Sequence, residues 1–129
     1  MNNFFNSLIR RPNADSIEYA SGSKVSFDIT REALVTGEAV ILAPFACTVA
    51  SIEEKHEVLS TAVGTLDIVD GAVAMLGATK IDLAGIVDTI QAPAVSGAIV
   101  SAGDVLKLAV TGTPVALAGV RIVVTLQMI

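Results

Sequence analysis

A chain of 129 residues and 13.2 kDa, with 13 acidic against 8 basic side chains, carries a net charge of −5 and a pI near 4.6. That balance repels phosphate backbones and argues against a nucleic-acid-binding module. A single cysteine, Cys47, excludes an intrachain disulfide. The hydrophobic share is 53% and the mean hydropathy +0.71, an apolar excess easier to hide between copies of the chain than in one small core, so homo-oligomerisation is the first expectation.

No membrane span is expected. The longest uncharged runs cover residues 39–52, 89–103 and 108–120, each short of the ~20 residues a spanning helix needs, and Pro44, Pro93 and Pro114 break them. The first twelve residues do not form a secretory signal. Phe4, Phe5, Leu8 and Ile9 are interleaved with Asn and Ser, and Arg10 and Arg11 follow them instead of preceding them. No cofactor is expected.

Composition changes near residue 23. All four asparagines lie within the first 13 residues, and residues 13–23 are polar, with Tyr19 among them. Residues 1–23 read as an extended N-terminal arm and residues 24–129 as one domain. The spacing of Phe4, Phe5, Leu8 and Ile9 fits a short amphipathic helix over residues 3–10. Such a helix is too short to persist alone in water and needs a surface to pack on. Arg10 and Arg11 form the single basic doublet, suited to an acidic partner surface or simply to solvent.

Beyond the arm the sequence alternates. Val25, Phe27 and Ile29 face one way and Ser26, Asp28 and Thr30 the other, a half-buried strand. Residues 36–42 give a second strand, and residues 46–58 a third whose charged part is its wetter end. Residues 64–69 lead into Asp70-Gly71, a hairpin dipeptide, and residues 72–76 pair back. Residues 81–87 read as a strand or as a loop with a helical turn, and residues 96–100 as another strand. Ala102-Gly103-Asp104 turns into a strand with Leu106, Leu108 and Val110 on one face. In the last strand Val120, Ile122, Val124, Leu126 and Met128 share a face. Gly97, Gly103, Gly112 and Gly119 fall at strand boundaries, where positive φ is useful. The expected fold is all-β: an antiparallel β-sandwich or jelly roll of about seven or eight short strands with an extended N-terminal arm.

Catalytic constellations are missing from the pattern. His56, in Glu53-Glu54-Lys55-His56-Glu57, shares a strand face with Glu54, but no second histidine or spare cysteine offers a metal set. A charged edge strand is the preferred reading; at a subunit contact, protonation of His56 would tune assembly. Asp67, Asp70, Asp82, Asp88 and Asp104 lack the spacing of a calcium loop and read as turn chemistry. Cys47, between Ala46 and Thr48, reads as a small buried hydrophobe. No nucleophile elbow, phosphate loop or dinucleotide fingerprint occurs. No aromatic residue lies between Ala46 and Ile129, so a glycan platform is missing. An enzyme of cupin or lyase type would need a histidine and carboxylate cluster the chain does not have. No catalytic, cofactor-binding or metal residue is assigned.

The order of features from Val40 to Ile129 resembles the small decoration (cement, or auxiliary head) proteins of tailed bacteriophages. The residues concerned are the Pro-Phe-Ala-Cys-Thr-Val segment starting at Pro44, the hairpin over residues 64–76, the Ala102-Gly103-Asp104-Val105-Leu106-Lys107-Leu108 turn and strand, and the closing strand over residues 120–126. The chain departs from the family pattern at Cys47, where glycine is usual. The resemblance implies a non-enzymatic homotrimer on the outer capsid surface of a virion, made in the host cytoplasm and bridging capsomers. It implies an arm that reaches the major capsid protein, with Phe4, Phe5, Leu8 and Ile9 as anchors and Arg10 and Arg11 beside them. The alternative reading is a receptor- or glycan-binding β module of a head fibre or tail.

Overall fold

The structure, a computed structural model, describes residues 21–129 together with the backbone pairing of two three-residue strands nearer the N-terminus. Those two, β1 (Leu8–Arg10) and β2 (Ile17–Tyr19), pair antiparallel. The helix expected over residues 3–10 is therefore not formed at Leu8–Arg10. A stripe of two turns has too few hydrogen bonds to offset helix nucleation, whereas pairing with Ile17–Tyr19 occupies backbone groups at once. Residues 3–7 lie outside the described residues.

Nine further strands build an antiparallel sandwich: β3 (Lys24–Arg31), β4 (Ala39–Leu42), β5 (Cys47–Val58), β6 (Gly64–Asp70), β7 (Val73–Ala74), β8 (Ile81–Asp82), β9 (Ile99–Val100), β10 (Val105–Gly112) and β11 (Ala118–Met128). One sheet runs β3-β11-β5-β9, and the other β4-β10-β6-β7 with β8 also paired to β6. The fold class expected from the alternation is the one observed. The ninth strand is β8, in the stretch the sequence left open between strand and loop. Among the described residues no helix is long and apolar enough to cross a membrane.

The alternation translates directly into the core. Val120, Ile122, Val124 and Leu126 of β11 are all buried, and so are Leu106 and Leu108 of β10 and Leu66 and Ile68 of β6. Each such side chain contributes about 1.5–3 kcal/mol when fully removed from water. Cys47, at the start of β5, is fully buried as expected, and burial pushes its thiol pKa up, with Asp104 and Asp70 adding to the effect. The hairpin after β6 differs by one residue from expectation. Asp70 pairs with Val73, so the two-residue loop is Gly71-Ala72, with Gly71 at φ 59°. A positive φ at the first loop position matches the right-handed strand twist, and glycine meets it without strain.

Two irregularities interrupt the ladders. On β5, Ser51 is opposite Thr125 while Val49 is opposite Leu126, so Ala50 is an extra residue bulged out of the ladder. On β10, Leu106 pairs with Ile41 but Lys107 with Ala39. The first bulge resets which alternate residues of β5 point inward.

Candidate functional site

Before the bulge, Cys47 and Val49 face the core; after it, Ile52, Glu54 and His56 do. The two ionisable side chains are 1% and 0% exposed, which corrects the expectation of a wet, charged edge. β5 is not an edge at all. β11 flanks it on one side, while on the other β9 covers its start and residues 88–91 run beside its end. Glu54 and Gln91 exchange backbone hydrogen bonds of 2.9 and 2.8 Å, and the Asp88 N–H donates to the His56 carbonyl at 2.9 Å.

Inside, His56 Nδ1 and Glu54 Oε2 lie 2.7 Å apart. The second carboxylate oxygen meets the Gln91 amide at a long 3.4 Å. Gln91 is engaged more firmly elsewhere. Its Nε2 donates to the Asp82 carbonyl at 2.7 Å and its Oε1 accepts the Asp82 N–H at 2.9 Å, so the side-chain amide pairs with β8 like a peptide unit. Burial raises the Glu54 pKa above the ordinary carboxylate value, and the hydrogen bond and charge of His56 only partly oppose it. His56 Nε2 has no hydrogen-bond partner among the described residues.

No hydroxyl or thiol hydrogen-bonds to His56 among the described residues. Ser60, also buried, spends its hydroxyl on its own loop, donating to the Ala62 carbonyl and accepting the Val115 N–H. The groove nearest the pair, about 240 Å³, is lined by Glu53, Glu54, Lys55, Ile90, Arg121 and Val123. There the Arg121 guanidinium already holds Asp28 at 2.6 Å and keeps its carboxyl pKa below the usual value. Glu54 thus borders the groove while both side chains of the pair stay fully covered, an arrangement suited to holding a segment in place.

The aspartates divide. Asp82 Oδ1 accepts the Ala84 N–H and Asp104 Oδ2 the Ser101 N–H, the local turn bonds expected of them. Asp67 departs from that reading. It is 6% exposed, accepts the Ile68 and Leu76 N–H groups and binds Lys80 Nζ at 2.7 Å. No three His, Cys, Asp or Glu groups come together to hold a metal among the described residues.

A second feature is not visible in any motif. Four uncharged stretches, loops together with the strand ends beside them, meet at the end of the sandwich remote from Lys24: residues 33–37, 58–66, 83–87 and 111–120. They are tied by Ser60 N–H to Leu83, Thr61 N–H to Val115 and Val110 N–H to Thr36 Oγ1. They expose Val35, Val58, Leu59, Val63 (82%), Ile86 (68%) and Val115. The side chains of Phe4, Phe5, Leu8, Ile9, Arg10 and Arg11 lie outside the described residues.

No protein-family model matches the chain, and no curated protein does. Among solved structures, a chain of the cyanophage Pam1 capsid asymmetric unit is similar with a TM-score of 0.56 and 18% identity. The match covers 93% of this chain and 94% of that one, so this chain is similar in fold to a component of a phage capsid over almost its full length.

Proposed function

We propose that this protein is a non-enzymatic structural component of a phage virion. It binds the outside of the capsid as a homo-oligomer, a trimer, and stabilises contacts between capsomers. The observation carrying this reading is the end-to-end likeness of fold to a chain of a capsid asymmetric unit. Because both chains are covered almost completely, the capsid chain is itself a module of about this size. That supports an accessory role alongside the major capsid protein over a role as the shell itself.

The physical features point the same way. An icosahedral surface rewards rigid modules whose many weak contacts are multiplied by symmetry, and a sandwich with an uncharged apolar end and a sealed interior suits that task. The arm of residues 1–23 is the segment assigned to the major capsid protein. The net charge of −5 keeps such an apolar module from indiscriminate association and away from nucleic acid.

Denaturing gels of purified particles test the reading. A 13.2 kDa band at a copy number near that of the shell protein is expected. A trace or absent band overturns the assignment.

A further inference from the structure

Residues 83–91 form a strap that joins the two sheets. At its start, the Leu83 N–H donates to the Gly64 carbonyl beside β8 and β6, and its own carbonyl accepts the Ser60 N–H. At its far end, Gln91 is bridged to Glu54 on β5 and its side chain returns to the Asp82 backbone. The part of β5 under the strap carries the buried pair. We propose that Glu54 and His56 form a pH-operated latch that holds this strap against β5, tying one side of the sandwich shut while the pair is electrically neutral and releasing it when the pair gains or loses a proton.

Charge balance in a closed space sets the latch. With one shared proton the two side chains are either an ion pair or two neutral groups, and the site has no net charge. A second proton leaves a cation at side chains 0% exposed, with an Nε2–H that finds no acceptor among the described residues. Loss of the shared proton leaves a buried carboxylate with one imidazole and a 3.4 Å amide contact. Either imbalance disfavours the closed, dry arrangement, and release of the strap from β5 is the step that would let water reach the pair.

Among the described residues no other charge offsets it. On β5 itself Glu53, Lys55 and Glu57 point to the opposite, outer face, and on β11 the neighbours Val120 and Ile122 are apolar while Arg121 points outward. From the strap side, Asp82 and Asp88 are exposed, and Asp82 is turned to Ala84. From the opposite sheet, β10 and β6 present Leu106, Leu108, Leu66 and Ile68, and Asp67 is neutralised by Lys80.

The latch is tested on the intact protein by amide hydrogen exchange, corrected for intrinsic rates, at about pH 4, pH 6 and pH 9. The Asp88 and Gln91 amides report the strap, and Leu108, whose N–H is bonded to Glu38, reports the sandwich at large. Strap protection is expected to be highest near pH 6 and roughly tenfold lower at each extreme, with Leu108 changing less. Glu54→Gln, which has no anion to strand, is expected to lose the alkaline drop and keep the acid one. His56→Gln is expected to do the reverse. Equal strap protection in the wild type at all three pH values overturns the proposal even if neither variant folds, and so do identical profiles for two folded variants.

Discussion

Asp67 and Lys80 lie 2.7 Å apart across a stretch of thirteen residues, and the contact fastens residues 75–80 beside β6, where Met75 N–H donates to the Ile68 carbonyl. The carboxylate also accepts the Ile68 and Leu76 N–H groups, while Lys80 Nζ donates to the carbonyls of Leu76 and Gly77. Met75 and Leu76, both 1% exposed, are carried into the core by this arrangement. Asp67→Ala is expected to lower the unfolding free energy by about 2–4 kcal/mol, because it strands a partly covered cation and two buried N–H groups. Urea denaturation checks this; a loss below about 1 kcal/mol would mean that the pair behaves as a surface ion pair.

Glu54 sets a pH dependence of known sign. Its pKa is raised by burial from the ordinary value of 4.5, so the folded state favours the protonated carboxyl more than the unfolded chain does. Its contribution to stability is complete below about pH 4.5 and is lost as pH rises through the folded value. Glu54→Gln removes that loss while keeping an oxygen for His56. The variant should therefore gain on the wild type in unfolding free energy over the range above pH 4.5 in which the folded carboxyl loses its proton, as followed by urea titrations. A constant difference across that range contradicts the assignment.

Gly112 ends β10 at φ 84°, and a Cβ placed there would run into the Val63 carbonyl. Neither the left-handed backbone nor the close approach admits alanine. Gly112→Ala is expected to cost at least about 1–2 kcal/mol, read as a lowered Tm. Gly103, also at positive φ but with open space around it, should cost less on the same substitution.

Cys47 is buried and its thiol is pushed toward the neutral form. In native protein it should react with a disulfide reagent only at the rate of opening, and at the free-thiol rate in denaturant. Fast stoichiometric labelling of the folded protein would show that the start of β5 is open to solvent.

Much of the sandwich is legible in the sequence because its long strands alternate cleanly. β3, β10 and β11 lie almost where Val25 to Ile29, Leu106 to Val110 and Val120 to Met128 predict them, and the turn aspartates Asp82 and Asp104 behave as turn residues. The buried pair is half legible. That Glu54 and His56 share a face follows from the period of two; which face they share does not, because one bulged residue, Ala50, inverts it. The spacing from Val49 to Ile52, three residues where two or four would keep the phase, is the available signal. Asp67 escapes for a different reason. Its partner and its cover come from residues 75–80, and nothing local to Asp67 shows that this segment folds back over it. The uncharged end is equally hidden, since it is assembled from four stretches distant in the chain.

Deleting residues 1–11 separates docking from folding. The truncated protein is expected to remain a folded oligomer and to lose attachment to capsids, because the sandwich core begins at β3. Attachment at wild-type affinity would remove the arm from the binding account.

The central claim is that the apolar surface left by this sandwich is covered by further copies of the chain on a virion. Sedimentation equilibrium of the purified protein at micromolar concentration tests it most directly. A discrete oligomer with the mass of three chains is expected, whereas a single stable species of 13.2 kDa would contradict the claim.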